Sequence, residues 1–468
     1  MEHIFGAAIE AVRGERILQQ GLRWEHGRSH ERAAERQLGR AAEPKLVFER
    51  GSACAQLPGP APGGRLRIIA IGKASVSMAK GAITALAKNG AEPGHSQLDM
   101  ADCQGLIIAK ENALAASWPG VGWQQIEGGH PLADARSVRA GETLLRFVAH
   151  SRREDRYLIL LSGGASALAV QPVPGITLAE KSACVQALMA QGAPISALNL
   201  LRRHLSMLKG GGLARALAPA LPLTLAIADV PGDDPAVIGS APTWDVPRDP
   251  LAVELILKEF NLWQQWQAVL APVLWADPVS PVSEQAPLPP SPYVVIATLN
   301  DAIEAAQVAA READLAPVNL GRVFYGDVML HVTQFCEAIR QCAAQGPTAG
   351  SLLIAAGEPT LRITGVGAGR GGRAQHFALA CARALQGMQG VAVLAAGTDG
   401  TDGPTPVAGA VIDGDSWLAM QRAGVDPERA LREYDSYRAL QAIGAHIHTG
   451  DTGTNVADLF LAVVHPVG

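Results

Sequence analysis

The 468-residue chain has no excess of positive charge: 39 Lys and Arg stand against 44 Asp and Glu, a net of −5. Nucleic-acid-binding chains usually show the opposite balance, so that class is set aside. Cysteine is sparse and scattered, at 54, 103, 184, 336, 342 and 381. No Cys-x-x-Cys pair occurs, which speaks against a zinc cluster or a disulfide framework and fits a reducing, cytoplasmic setting. No apolar run is long enough to span a bilayer; the best, Leu213 to Val230, is interrupted by Arg215, Pro219, Pro222 and Asp229. Glu2, Glu10 and Glu15 break any signal-peptide order at the start. The expectation is a protein without a membrane or nucleic-acid partner, acting on a small-molecule substrate, with a homodimer as the assembly to test for.

What is abundant is glycine, with 50 residues, often just after an apolar run. Five such turns are Gly72-Lys73-Ala74-Ser75, Ser162-Gly163-Gly164-Ala165-Ser166, Lys209-Gly210-Gly211-Gly212, the stretch from Gly367 to Arg373, and the stretch from Gly397 to Pro404. Glycine lets a backbone approach an anion and aim several N–H groups at it. Lys73, Lys209, Arg370 and Arg373 accompany these turns. The combination suggests a polyphosphate and its metal.

The coarse pattern alternates strands and helices. Buried strands are predicted at 66–71, 105–109, 157–161 and 223–228, with helices over 75–88, 137–153, 178–191 and 198–208 between or after them. Residues 4–38 read as helical, and a Pro/Gly cluster at 57–64 closes that region. A proline-rich stretch, 271–292, reads as a linker. Beyond it come strands at 293–297, 351–355, 391–395 and 459–464, and a helix capped by Asn300 or Asp301. The expected fold is α/β in two domains. An N-terminal Rossmann-like domain, 1–270, has a mostly parallel sheet covered by helices on both faces. The C-terminal domain, 293–468, is mixed α/β. In such sheets ligands collect at the carboxyl ends of the strands.

The loops carry chemistry in different degrees. Gly72-Lys73 is not a Walker A motif, because position 67 is Arg where the upstream glycine belongs. Lys73 still opens a helix after a strand, where its ammonium can reach a phosphate or a carboxylate, although a solvated lysine is the blander reading. Asp229, Asp233 and Asp234 fall within six residues past a strand. Magnesium accepts one or two carboxylates plus phosphate oxygens, and Asp229 could alternatively hold a substrate hydroxyl; at least one of the three should be a plain turn residue. Glu358 could contact a metal or a hydroxyl. Asp399 and Asp402 could contact a metal, ribose or base, but the loop is too short for an EF-hand. Gly367-x-Gly369-x-x-Gly372 matches the dinucleotide fingerprint in form. Leu361 to Thr364 before it alternates like a half-exposed strand, which a Rossmann first strand should not, and the loop's two arginines suit phosphate better. His130 is the one histidine singled out, and as a turn residue it reads first as structural. His446 and His448 lack a third ligand.

In their order and number these stretches resemble the glycerate 2-kinase family, whose C-terminal part is called the MOFRL domain. The resemblance rests on Ile71-Gly72-Lys73-Ala74, Gly128-Gly129-His130-Pro131, Leu161-Ser162-Gly163-Gly164, 199–206 with Lys209-Gly210-Gly211, and Asp229 to Pro235. It continues through Gly357-Glu358-Pro359-Thr360, 369–373, Gly397-Thr398-Asp399-Gly400 and 452–456. It implies a two-domain enzyme that uses ATP and Mg2+ to phosphorylate the 2-hydroxyl of D-glycerate in a cleft. Lys73 and Arg373 would be its catalytic cations, with Asp229 near the substrate. Ser162, Gly163, Gly164, Ser166, Lys209, Gly210, Gly211, Glu358, Arg370 and Asp399 would serve ATP, and Asp229 and Asp233 the metal. The chain departs from the family pattern at Ala228, Ala241, Ala374, His376, Pro406 and Asp451. Two other readings stay open: an NAD(P)H-dependent hydroxypyruvate reductase, a label some relatives carry, and a non-catalytic sensor of a phosphorylated sugar acid.

Overall fold

A computed structural model describes residues 1–25, 44–89, 103–114, 117–118, 122–275, 291–346, 350–364 and 369–466. The chain divides into two compact units, residues 17–296 and residues 1–16 with 297–468. The first sixteen residues therefore group with the C-terminal part, not with the domain that follows them in sequence. The helix Glu2–Ala11 packs on the helix Leu299–Glu312, and two hydrogen bonds tie the segment down: Thr454 Oγ1 donates to Val12 O at 2.7 Å, and Gly14 N–H to Gly453 O at 3.2 Å.

In the 17–296 unit a small antiparallel sheet comes first: β1 (Leu22–Glu25), β2 (Lys45–Arg50) and β3 (Ala53–Pro58). The helical reading of 4–38 thus holds up to Gly21, where the helix Gly14–Gly21 ends, and gives way to a strand at 22–25; residues 26–38 lie outside the described ones. The main sheet has six strands: β4 (Leu66–Ile71), β5 (Gln104–Ala109), β6 (Trp123–Glu127), β7 (Arg156–Leu161), β8 (Leu221–Ile227) and β9 (Tyr293–Ala297). Their order is β6-β5-β4-β7-β8-β9, and the first five run parallel. Strands β4, β5, β7 and β8 are apolar almost throughout because helices cover both faces. From β4 the chain moves one way to β5 and β6, then returns to β7 and proceeds the other way. The switch point therefore lies between β4 and β7.

The other unit holds a mixed sheet: β10 (Ala316–Asp327), β11 (Ser351–Thr360), β12 (Val391–Gly397), β13 (Gly409–Asp413), β14 (His446–Ile447) and β15 (Asp458–Val464), in the order β10-β11-β15-β12-β13-β14. Strand β15 inserts antiparallel between β11 and β12, and β10 pairs parallel with β11. Its core gathers Phe324, Phe335, Phe377 and Phe460.

Three sequence expectations need correction. Residues 361–364 form no strand; Arg362, Ile363 and Thr364 lie exposed beyond the end of β11. The helix Leu299–Glu312 is capped by Thr298, with Asp301 closing a capping box, so the cap lies earlier than Asn300 or Asp301. The expected linker is helical up to Leu274, with Pro272 inside the helix Trp263–Leu274; residues 276–290 lie outside the described ones.

Candidate active site

The loops that follow β4 and β7 interlock at the switch point. Lys73 N–H donates to Gly163 O at 2.9 Å, and Ala74 N–H to Ser162 Oγ at 3.0 Å. Gly72 presses so closely on Ser162 that a side chain at 72 has no room. Lys73 then sits just before the helix Ser75–Asn89, as the strand-turn-helix pattern requires.

Gly164 takes a left-handed φ of 83°, which turns the chain from β7 into the short helix Ala165–Leu168. A Cβ there would lie 3.1 Å from His130 Cδ2 and 3.2 Å from Lys73 Cγ. So His130, read from sequence as a secondary residue, stands beside Lys73 in the loop after β6. Among the described residues no acceptor takes the N–H groups of Gly163, Gly164 or Ser166. These donors, one lysine and one histidine converge where strands open.

The Lys209 loop behaves differently. Gly210 N–H donates to Ser240 O at 3.1 Å, Gly211 N–H to Ala241 O at 2.7 Å, and Gly212 N–H to Lys209 O at 3.1 Å. Its amides are thus spent within the unit, and what the loop presents is the Lys209 ammonium, bonded to Ser240 Oγ at 3.3 Å. Burial, and after it Lys181 and Arg202, push that ammonium well below the usual lysine range. A cavity of about 20 Å³, room for one water, is walled by both Lys209 and Ser166, which makes the two loops neighbours. Ala241, in the segment that accepts these bonds, holds a left-handed φ of 59°.

Past β8, Asp229 is half-buried and Asp233 adopts a φ of 55°. Asp234 is the turn residue of the three: its Oδ1 accepts from Ala236 N–H at 2.8 Å. Among the described residues no group of three or more His, Cys, Asp or Glu side chains could hold a metal unaided. A site completed by phosphate oxygens needs only one or two carboxylates.

In the other unit Arg373 opens the helix Arg373–Ala384. Its guanidinium donates to both carboxylate oxygens of Asp458, with Nη2 to Oδ1 at 3.0 Å, and its Nη1 donates to Glu358 Oε1 at 2.7 Å. Burial works against the charge, but Asp458 and then Glu358 outweigh it and hold the guanidinium above its ordinary pKa. Asp402 is no surface ligand. It is buried, accepts from Ala374 N–H at 3.1 Å and Gln375 N–H at 2.8 Å, and so caps this helix from a distant loop. Burial lifts its carboxyl to about 6. Asp399 Oδ1 accepts from Thr401 N–H at 2.9 Å. Arg370 lies over the Tyr437 ring at 4.3 Å.

The described fingerprint glycines are packing residues. A side chain at 369 would meet Asp435, at 371 Ser436, and at 372 Asp402. Gly367 lies outside the described residues. Among the described residues no buried strand leads directly into this loop, since β11 ends at Thr360 and 361–364 are irregular, so the structural context of a dinucleotide site is not met there.

Two family models match the chain: a domain of unknown function (DUF4147) over residues 1–274, and the MOFRL family over residues 351–458. A D-glycerate 2-kinase of Thermotoga maritima is 32% identical over 411 residues, covering 86% of this chain and 91% of the relative. A glycerate kinase of Mus musculus is 33% identical over 386 residues, 72% of each chain. A protein of Agrobacterium vitis named putative hydroxypyruvate reductase is 35% identical over 402 residues, 85% of this chain and 87% of that one. A crystal structure of glycerate kinase from Thermotoga maritima matches with a TM-score of 0.74 at 27% identity, covering 99% of this chain and 98% of that one. The likeness thus runs through both units, and the chain belongs to the glycerate 2-kinase family of small-molecule kinases.

Proposed function

We propose that this protein transfers the γ-phosphoryl group of ATP to the 2-hydroxyl of D-glycerate, giving 2-phosphoglycerate. One observation carries the reading: Lys73 and His130 flank Gly164, and the N–H groups of Gly163, Gly164 and Ser166 have no acceptor among the described residues. Backbone donors with a nearby lysine, aimed from the carboxyl ends of parallel strands, suit phosphate oxygens. Phosphoryl transfer asks mainly for positioning and charge stabilisation, and such a cluster can supply both.

Within this reading Gly163, Gly164 and Ser166 hold phosphate, and Lys73 stabilises charge on the moving group. Asp229 orients the acceptor hydroxyl. Asp229 and Asp233 are the carboxylates that would hold Mg2+, which would neutralise phosphate charge. Lys209 adds a cation next to Ser166. Arg373 is the second catalytic cation of the proposal. Its forked geometry suits a carboxylate or phosphate, and Glu358 and Asp458 fix its direction. Arg370 and Asp399 remain proposed contacts for ATP. The expected setting is the cytoplasm.

The test is ADP release by the purified protein with ATP, Mg2+ and D-glycerate. Turnover of another hydroxy acid but not glycerate would keep the kinase and reject the acceptor. Lys73→Met should lower kcat by about 10²–10³-fold, the range for loss of one oxyanion-stabilising donor. The relative named as a reductase motivates a parallel assay of NAD(P)H oxidation with hydroxypyruvate, expected to show none. Tight ATP binding without any turnover would favour the sensor instead.

A further inference from the structure

The helix Leu178–Ala190 buries Lys181, Cys184, Val185 and Leu188. That is spacing i, i+3, i+4, i+7, the apolar face of an amphipathic helix, with lysine at a position that normally takes leucine. Lys181 is only 6% exposed, and its Nζ has no hydrogen-bond partner among the described residues. Lys209 is 8% exposed, and its Nζ reaches the neutral Ser240 Oγ. Arg202, half-buried in the helix Ile195–His204, donates from Nη1 to Asn199 Oδ1 at 3.2 Å.

The three cations lie close enough to act on one another. Burial first, and then Arg202, pushes Lys181 down to about 8, and both Lys181 and Arg202 press on Lys209. Among the described residues none of the three forms an ion pair. Burying a charge without a partner is expensive, and three together more so. Burial answers part of that cost by loosening the protons on Lys181 and Lys209, and a multiply charged anion would restore the charge and stabilise it. A single carboxylate would leave most of the positive charge uncompensated. Lys209 also shares a cavity wall with Ser166, so the cluster adjoins the loop after β7.

We propose that Lys181, Arg202 and Lys209 form one oxyanion site that takes a phosphate group, with Lys181 and Arg202 as binding residues. This rests on the kinase reading for the source of the phosphate, ATP or the phosphorylated product, and not for the site itself.

The experiment is calorimetric titration of the full-length protein with ATP and, separately, with 2-phosphoglycerate. Wild type is compared with Lys181→Met, Lys181→Arg and Arg202→Gln. Lys181→Met removes a buried charge and keeps a flexible chain of similar size, so the unliganded protein should melt no lower than wild type. Its affinity should nonetheless fall about 10- to 100-fold, as expected for loss of one charged hydrogen bond. Lys181→Arg should restore much of it, and Arg202→Gln should weaken binding alongside Lys181→Met. Loss confined to ATP assigns the site to the donor, and loss confined to 2-phosphoglycerate assigns it to the product. Unchanged affinity for both in Lys181→Met and in Arg202→Gln overturns the proposal. Wild type that binds ATP but releases no ADP with D-glycerate or any other hydroxy acid would sink the kinase reading and leave this site standing.

Discussion

Two cations on opposite sides of the unit boundary show two ways of keeping a buried positive charge. Arg373 has its fork on Asp458 and a third bond to Glu358, so its charge is answered inside the fold. Lys181 has no partner among the described residues, and Arg202 presses on it with like charge. The first arrangement holds a side chain in one orientation. The second stores an unfavourable field that a ligand can relieve. Removing the cation should therefore have opposite consequences in the two places.

The largest effect is expected from Arg373→Met. It strands Asp458, which is 5% exposed, without its guanidinium. Breaking a buried pair from one side typically costs about 3 kcal/mol or more. The urea midpoint of the transition that reports the C-terminal unit should fall accordingly, and catalysis should drop with it. Arg373→Lys restores the charge but not the fork, so it should recover stability only in part. A midpoint unmoved by Arg373→Met would erase the contrast with Lys181.

The two regions also differ in what their sequence discloses. Strands β4, β5, β7 and β8 read clearly because a strand buried on both faces is apolar at every position. The turns at their ends could then be placed, which located Lys73, Ser162 and Asp229. The Arg373 group was less legible because its partners arrive from afar: Asp458 is 85 residues on, and Asp402 caps the helix from a separate loop. Strand β10 escaped notice because Gly321 and two register shifts break its alternation. The hairpin β2–β3 did carry a signal, a two-residue Gly51-Ser52 turn between strand-like runs, and it was passed over. His130 reads from sequence first as a structural turn residue; only the fold puts it beside Lys73. Lys181 could have been found, since a lysine on an otherwise apolar helix face breaks the expected pattern.

Titration offers a second contrast, of middling size. His376 is buried, its Nδ1 lacks a partner, and burial pulls its pKa from 6.5 to about 4. Between those values the unfolded chain binds the proton and the folded chain does not. Stability from this residue therefore rises as pH climbs from 4 to 6.5, by about 3 kcal/mol at most. Asp402 works in the opposite sense: its carboxyl is raised from 3.8 to about 6, so its contribution falls as pH rises through that window. The two partly cancel in the wild type. His376→Gln removes one of them, so the variant should gain on wild type most at pH 4 and least at pH 7. Parallel denaturation curves at both values would show that His376 is not buried neutral.

The smallest effect separates two helix caps. Asp134 caps the helix Ala135–Val148 locally, accepting from Arg136 N–H at 2.8 Å, and its side chain is 42% exposed. Asp402 does the equivalent task for the helix Arg373–Ala384 while 4% exposed. In Asp134→Ala the freed N–H groups can turn to water, so the cost should stay near that of an ordinary cap, about 1 kcal/mol. In Asp402→Ala water has no access, and the N–H groups of Ala374 and Gln375 lose their acceptor together, while Gln375 Nε2 keeps Thr405 Oγ1. Unsatisfied buried donors cost about 1–3 kcal/mol each, partly offset by no longer burying a carboxylate. The urea midpoint shift should thus be clearly smaller for Asp134→Ala than for Asp402→Ala. Equal shifts would mean that the remote cap relaxes as freely as the local one, and that the helix bearing Arg373 is held mainly by its packing against the phenylalanine core.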